Sequence, residues 1–125
     1  MTENEIGKII VDRAFHVHNE LGPGLLESTY QACLLHELIN SGLFVEAQKT
    51  LPVVYKGEKL ECGYRIDLQV ENKVIVEIKS VDSLTDVHLA QIISYLKLSN
   101  CKLGYLINFN VKLIKDGIKR VANKL

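Results

Sequence analysis

The fold is decided by residues 64–79, which read YRIDLQVENKVIVEIK. Apolar and polar side chains alternate on both sides of a short polar segment, residues 71–73. Alternation with a period of two, in runs rich in β-branched residues, predicts two strands joined as a hairpin. The apolar rows must share one face of that hairpin, which requires a loop of odd length. The two rows are Ile66, Leu68 and Val70, and then Val74, Val76 and Ile78.

This register places Asp67 directly opposite Glu77. A three-residue loop pairs Val70 with Val74 and brings the two carboxylates to opposed positions, with Cβ atoms roughly 5 Å apart. Two like charges at that distance repel each other, and a divalent cation bound by oxygens of both would compensate. Lys79 lies on the same face, one pleat further along. The pattern therefore predicts a metal site on the hairpin.

The competing interpretation is a solvated sheet face, on which charged residues alternate with core residues without any function. Two features weigh against it. Asp is disfavoured in strands, and Ile75 shares the face of the carboxylates, which indicates that this face is covered. A purely structural α/β domain with solvated polar rows stays open as an alternative.

The composition is that of one ordinary globular domain spanning residues 1–125. The chain is 47% hydrophobic and 24% charged, which excludes disorder and suffices for a single core. No run approaches the ~18 apolar residues of a membrane span, and no apolar secretion signal begins the chain, so we expect a cytoplasmic protein. The cysteines lack zinc-site spacing and are expected to be reduced thiols, namely Cys33, Cys62 and Cys101.

Charge is balanced overall but unevenly distributed. The net charge is zero, yet residues 1–46 carry seven acids against two bases, and the remaining residues carry thirteen bases against eight acids. A nucleic-acid-binding protein usually has a stronger basic footprint. If this chain binds nucleic acid, a local patch, a homodimer or a protein partner must therefore supply part of the affinity.

The remaining pattern predicts an α/β domain in which helices pack on a mixed central sheet, in the order α-α-β-β-β-α-β. Helices are expected at residues 4–20, 25–39 and 83–98, the third with Ser83 or Thr85 as its N-cap. Extended segments and strands are expected at residues 44–50, 52–55, 60–70, 74–79 and 103–108. Residues 114–121 fit either a helix or an edge strand.

The third helix carries two rows of side chains beside each other. The core stripe is expected to be Leu89, Ile92, Ile93 and Leu96, and the second row His88, Gln91 and Tyr95. Such a row is often only the shoulder of a helix, and a single histidine more often makes a structural hydrogen bond than binds a ligand. The four histidines show no spacing that indicates a zinc site.

Residues 24–30, which read GLLESTY, resemble the Gly-x-x-Glu-x-x-Tyr signature of a family of small prokaryotic proteins in the PD-(D/E)XK nuclease superfamily. The resemblance extends from about Ile6 to Val121, because the other superfamily elements follow in order. They are Asp67, then Glu77-Ile78-Lys79, then His88 and Gln91-x-x-x-Tyr95. Taken alone, Glu27 would be explained by the helix dipole and Tyr30 by packing in the core.

The resemblance implies a restriction-endonuclease-like fold and a metal-dependent phosphodiesterase. It assigns Mg²⁺ or Mn²⁺ to the carboxylates of Asp67 and Glu77 and the main-chain carbonyl of Ile78, with Glu27 completing or tuning the site. Lys79 would orient or help to activate the attacking water, so the implied catalytic residues are Asp67, Glu77, Lys79 and Glu27. The residues implied to bind the substrate are Gln91, Tyr95, His88 and Tyr30.

We therefore expect a Mg²⁺-dependent nuclease acting on nucleic acid, with DNA as the favoured substrate, in repair or mobile-element processing. The chain departs from the superfamily pattern at Ile66, where the superfamily name has proline, and we expect no appended DNA-reading domain. The alternative function is a non-catalytic module that retains the nuclease fold and binds nucleic acid or protein. The balanced charge favours that alternative.

Overall fold

Two helices begin the chain. In the computed structural model, which describes residues 1–125, α1 (Glu3–Leu21) begins at a capping box formed by Thr2 and Glu5. It ends at Gly22, whose φ of 67° is the left-handed conformation that glycine tolerates best. The second helix, α2 (Glu27–Asn40), begins two residues later than predicted because the N-cap residue Leu26 is extended.

Seven strands and one further helix follow. The strands are β1 (Val45–Thr50), β2 (Val53–Tyr55), β3 (Glu58–Leu60), β4 (Arg65–Val70), β5 (Val74–Lys79), β6 (Leu103–Asn108) and β7 (Ile118–Ala122). The helix α3 (Asp86–Ser99) connects β5 to β6. Five strands form the central sheet in the order β1-β4-β5-β6-β7, and β2 pairs with β3 as a separate hairpin. Only the β5–β6 pair is parallel, so the sheet is mixed, as predicted.

The predicted register of the β4–β5 hairpin is confirmed. Val70 pairs with Val74 across residues 71–73, and Leu68 pairs with Val76. Glu71 and Asn72 in the loop have positive φ angles of 53° and 55°, which a tight hairpin connection requires. The same register, continued along both strands, places Asp67 opposite Glu77.

The sheet separates two hydrophobic clusters. The larger cluster packs α1 and α2 against one face, where Leu68, Val76 and Ile78 are buried. The smaller cluster packs Ile92 and Leu96 of α3 against Ile75 and Leu106 on the other face. Ile75 is therefore covered, as predicted. Glu77 and Lys79 alternate along β5 with Val76 and Ile78 of the larger cluster, so they lie on the same face of the strand as Ile75.

The prediction that Ile66 shares the face of Leu68 is wrong. Ile66 belongs to the cluster under α3, together with Ile75. The physical reason is a break in the regular pairing of β1 with β4, because Gln48 opposite Asp67 has a φ of 51° and neither residue is a paired position. The alternation of side chains is interrupted at that point.

Several predicted boundaries shift. The predicted strand 60–70 begins only at Arg65, because residues 61–64 are irregular and Gly63 has a φ of 79°. Thr85, rather than Ser83, caps α3, where its hydroxyl accepts from the N–H of His88. Residues 114–117 form one 3₁₀ turn, and the edge strand β7 follows.

The core stripe of α3 is narrower than predicted. Ile92, Tyr95 and Leu96 are buried, whereas Leu89 and Ile93 are 38% and 37% exposed. Tyr95 thus belongs to the buried side of the helix rather than to its shoulder. None of the helices combines the length and the apolarity that crossing a bilayer would require.

Candidate metal and phosphodiester site

Asp67 and Glu77 are joined to each other's strands by their side chains. The N–H of Asp67 donates to Oε2 of Glu77 at 2.8 Å, and the N–H of Ile78 donates to Oδ2 of Asp67 at 2.8 Å. The regular pairing of β4 with β5 ends at Leu68 and Val76. Beyond that pair, the hydrogen bonds to the two carboxylates take the place of main-chain hydrogen bonds between the strands. The two strands therefore separate where the two acids lie.

A third strand holds Asp67 from its other side. Nε2 of Gln48, on β1, donates to Oδ1 of Asp67 at 3.3 Å and to Oε1 of Gln31, on α2, at 2.8 Å. The left-handed conformation of Gln48 is uncommon for a residue with a side chain, and such conformations cluster at functional sites. Sequence reasoning missed Gln48, which could have been found only from the β1–β4 register.

Burial dominates the electrostatics of the two acids. Glu77 is 3% exposed, and burial, followed by the nearby charge of Asp67, raises its pKa to about 8. Burial also raises the pKa of Asp67, although the N–H of Ile78 and the amide of Gln48 favour its ionised form. A negative charge on Asp67 therefore disfavours ionisation of Glu77, as expected for neighbouring carboxylates.

Lys79 is linked to α3 rather than to either acid. Its Nζ donates to Oε1 of Gln91 at 3.3 Å, and Nε2 of Gln91 donates to the hydroxyl of Tyr95 at 3.3 Å. Lys79 makes no ion pair within 4.0 Å. Burial, and then the charge of Glu77, raises the pKa of Tyr95, so this hydroxyl lies in the field of the acids.

Glu27 is exposed at the first position of α2 and is fixed to the end of β5. Its Oε2 accepts from the N–H of Ser80 at 3.2 Å, and the Ser80 hydroxyl donates to the carbonyl of Leu25 at 2.6 Å. The Glu27 charge contributes to the raised pKa values of Asp67 and Glu77, so it lies within their electrostatic reach. Ser80, which sequence reasoning also missed, connects the two segments.

Tyr30 and His88 both make structural contacts. Tyr30 is completely buried and stacks on Phe109 with ring centroids 4.6 Å apart. Tyr30 thus lies in the core, and its predicted contact with the substrate stays a prediction. Nδ1 of His88 accepts from the N–H of Thr85 at 3.1 Å, which completes the capping box of α3.

Tyr30→Phe is expected to destabilise the fold by about 1–3 kcal/mol. The Tyr30 hydroxyl donates to the carbonyl of Gly22 at 2.6 Å and accepts from the N–H of Leu25 at 3.1 Å, so phenylalanine would leave two polar groups unpaired. Urea unfolding would measure the loss. Tyr55→Phe is the matched control, because Tyr55 is 59% exposed and should lose almost nothing. Equal effects of the two variants would contradict this role of Tyr30.

The donor set fits a hard divalent cation. Asp67 and Glu77 each use one oxygen, Oδ2 or Oε2, for a main-chain N–H. Of the two remaining oxygens, Oδ1 of Asp67 accepts from the amide of Gln48 at 3.3 Å, and Oε1 of Glu77 accepts no hydrogen bond. The carbonyl of Ile78 points to the same edge as its N–H, toward Asp67, because the two main-chain groups of a strand residue share a direction. No group of three or more His, Cys, Asp or Glu side chains is arranged to hold a metal. Further ligands would therefore be this carbonyl and water, which suit Mg²⁺.

A surface cavity of ≈ 490 Å³ lies elsewhere, between α1 and Tyr105, and neither Asp67, Glu77 nor Lys79 lines it. Residues from α2, β1, β4, β5 and α3 are linked around the pair of carboxylates, Asp67 and Glu77. Glu77 and Lys79 are neighbouring side chains on one face of β5.

Comparison with known proteins gives one match. A sequence model described as the PD-(D/E)XK nuclease superfamily matches residues 4–121. Neither the curated proteins nor the solved structures contain a significant match to the chain.

Proposed function

Because the chain belongs to the PD-(D/E)XK nuclease superfamily, we propose that it hydrolyses phosphodiester bonds of nucleic acid with the help of a divalent cation, Mg²⁺ or Mn²⁺. The observation that carries the proposal is the pair of carboxylates, Asp67 and Glu77, bonded across the point where β4 and β5 separate. We include the chain in the Gly-x-x-Glu-x-x-Tyr family, because residues 24–30 have that signature. DNA is the proposed substrate.

Asp67, Glu77 and the carbonyl of Ile78 would hold the cation. A bound cation supplies positive charge at phosphoryl oxygens and lowers the pKa of a water that it binds. The main-chain bonds to Oδ2 of Asp67 and Oε2 of Glu77 fix the rotamers of both acids before any ligand arrives. Such preorganisation spares the site the cost of rearrangement during the reaction. Glu27, held by Ser80, adds negative charge at the rim and would tune the affinity of the site.

Lys79 would bind the scissile phosphate and orient the attacking water. Its ammonium group is held toward α3 by Gln91 and is not neutralised by an ion pair, so its charge is available to a phosphate. Gln91 and the hydroxyl of Tyr95 would complete the wall beside the substrate. His88, whose Nδ1 is used in the helix cap, has only its other ring nitrogen left for a substrate contact.

The test is a cleavage assay with single-stranded, nicked, branched and duplex DNA, and with RNA, in Mg²⁺ or Mn²⁺. Cleavage that EDTA stops and that Lys79→Ala reduces by about 10²-fold or more supports the enzyme. Lys97→Ala is the matched control, because Lys97 is exposed on α3 outside the site. Binding of these nucleic acids without cleavage of any of them would instead support the non-catalytic module.

Mn²⁺ is expected to bind to the wild-type protein and to bind at least roughly tenfold more weakly to Asp67→Ala, since even groups that only support metal ligands contribute that much. Isothermal titration calorimetry would measure both affinities. Asp82→Ala removes an exposed carboxylate from the loop after β5 and should leave the Mn²⁺ affinity unchanged. An affinity unaltered in Asp67→Ala would remove this residue from the proposed metal site.

A further inference from the structure

A mostly apolar groove lies beside the candidate site, between the β2–β3 hairpin and α3. Its volume is ≈ 390 Å³, and Val53, Tyr64, Val87 and Leu98 contribute to its apolar lining. We call it the hairpin groove. Its polar lining comes from Gln91 and Ser94. Apolar walls with a few polar groups are typical of a site for a flat organic ligand.

The groove is continuous with the proposed catalytic residues. Gln91 and Tyr95 line it, and the same Gln91 accepts from Nζ of Lys79 at 3.3 Å. A ligand in the hairpin groove therefore lies one side chain away from the lysine that would bind the scissile phosphate. Consecutive nucleotides of one strand would therefore reach from Lys79 into the hairpin groove.

Tyr64 forms an aromatic wall that is held in place and still exposed. Tyr64 is 46% exposed, and its ring meets the ring of Tyr95 edge-on, with centroids 6.0 Å apart and planes at 65°. The carbonyl of Tyr64 accepts from the N–H of Leu51 at 2.9 Å, which fixes the main chain at that point. A partly exposed aromatic ring that is held in place offers a surface for stacking, and every nucleobase has a face that can stack on it.

Charge near the groove favours a polyanion, although the whole chain is neutral. Residues 49–65 carry four bases, Lys49, Lys56, Lys59 and Arg65, against the two acids Glu58 and Glu61. This segment includes the β2–β3 hairpin, and all of its charged side chains except Lys49 are exposed. Lys49 is paired with Glu46 at 3.3 Å, so the exposed charges of this segment are three bases and two acids. The segment therefore contributes a small local excess of positive charge, which favours a polyanion.

We propose that the hairpin groove receives an unpaired base of the substrate strand, stacked on Tyr64, so that the substrate class is single-stranded or locally unpaired nucleic acid. This inference rests on the proposed function, whose catalytic residues it extends along the strand. Bases inside a duplex are stacked on each other and cannot reach the groove without being extruded, which costs free energy. Single strands, frayed ends and branch points present such bases without that cost.

The test measures fluorescence anisotropy of labelled oligonucleotides of about 12 nucleotides, a length within the range of single-strand binding sites. The probes are single-stranded DNA, single-stranded RNA, duplex DNA and a single strand with abasic positions throughout, all in EDTA so that no cleavage occurs. We expect Tyr64→Ala to weaken binding of the single strands roughly 5- to 150-fold and to leave duplex binding unchanged. Tyr64→Phe should bind like the wild type, and the abasic strand should bind weakly to every variant.

Two further variants test whether single-strand binding depends on the groove or on other parts of the surface. Ala90→Trp places a bulky side chain at an exposed helix position that lines the groove, and it should weaken single-strand binding as Tyr64→Ala does. Tyr55→Ala removes an exposed ring on the same hairpin that does not line the groove, and it should bind like the wild type. Thermal unfolding of each variant checks that the fold is retained.

The outcomes distinguish this inference from the proposed function. The proposed site for an unpaired base in the hairpin groove (the base site) is overturned if Tyr64→Ala and Ala90→Trp bind single strands as tightly as the wild type. This holds even where metal-dependent cleavage is present. The base site would also be overturned if the protein forms a concentration-dependent dimer that Ala90→Trp abolishes, and if nucleic-acid binding does not depend on the bases. Those two results would assign the groove to a second copy of the chain. Base-dependent binding lost in both variants supports the base site, even where no nucleic acid is cleaved and the proposed function fails.

Discussion

Asp67→Asn is expected to reduce nucleic-acid cleavage by about 10²- to 10³-fold or more, the usual loss when one preorganised electrostatic group is removed. Asparagine has the same size as aspartate and retains one oxygen that can accept from the N–H of Ile78. Its NH₂ group would then occupy the position of Oδ1, facing the amide of Gln48 and the proposed cation. The substitution thus changes the charge and the ligand atom while it preserves the packing.

The measurement is the rate of cleavage under saturating Mg²⁺ or Mn²⁺, on whichever substrate the wild type cleaves fastest. Asp82→Asn makes the same chemical change at an exposed position and should cleave at the wild-type rate. Thermal unfolding should show that Asp67→Asn is folded. A folded Asp67→Asn variant with wild-type cleavage would refute the catalytic assignment of this residue.

Glu77→Gln is expected to stabilise the protein at pH 8 in metal-free buffer. The pKa of Glu77 is raised from 4.5 to about 8 by burial and then by Asp67, so the folded state holds a proton that the unfolded state has released. Between these two pKa values the folded state binds more protons, and the free energy of unfolding therefore falls as the pH rises. The slope is at most about 1.4 kcal/mol per pH unit for one group, so the effect reaches several kcal/mol at pH 8. Glutamine has no such titration.

Urea unfolding from pH 4 to pH 8, with EDTA present, would measure this difference. The wild type and Glu77→Gln should have similar stability near pH 4 and diverge steadily above it. Asp67 contributes in the same direction in both proteins, because its pKa is also raised by burial. Glu58→Gln changes an exposed glutamate on β3 and should follow the wild-type curve. Parallel curves for the wild type and Glu77→Gln would show that Glu77 is ionised in the folded protein at neutral pH.

The sequence was most informative where one periodic pattern determined one arrangement. Apolar alternation on both sides of residues 71–73 determined the pairing of Val70 with Val74, and this pairing placed Asp67 opposite Glu77. The strand at residues 103–108 was predicted with its observed bounds, because an almost entirely apolar run between polar segments allows few alternatives. The family match over residues 4–121 agrees with the fold that the resemblance implied.

The sequence was less informative where tertiary contacts decide the conformation. The position of Ile66 depends on the left-handed φ of Gln48, and nothing in the local sequence indicates that angle. The roles of Tyr30 and His88 depend on which hydrogen bonds their polar atoms make, and helical spacing alone cannot distinguish a site wall from a core or cap position. The exposure of Leu89 and Ile93 reflects how α3 lies on the sheet, which is likewise a tertiary property.

The side-chain bonds between β4 and β5 also make two backbone amides into reporters of the site. The N–H groups of Asp67 and Ile78 are protected from solvent exchange by carboxylates and not by the sheet ladder. Their hydrogen-exchange rates should therefore respond to protonation, to a bound cation and to substitution of either acid, while the amides of the paired positions beside them stay slow. The state of the candidate site can thus be followed residue by residue in solution, without a substrate and without knowing what the substrate is.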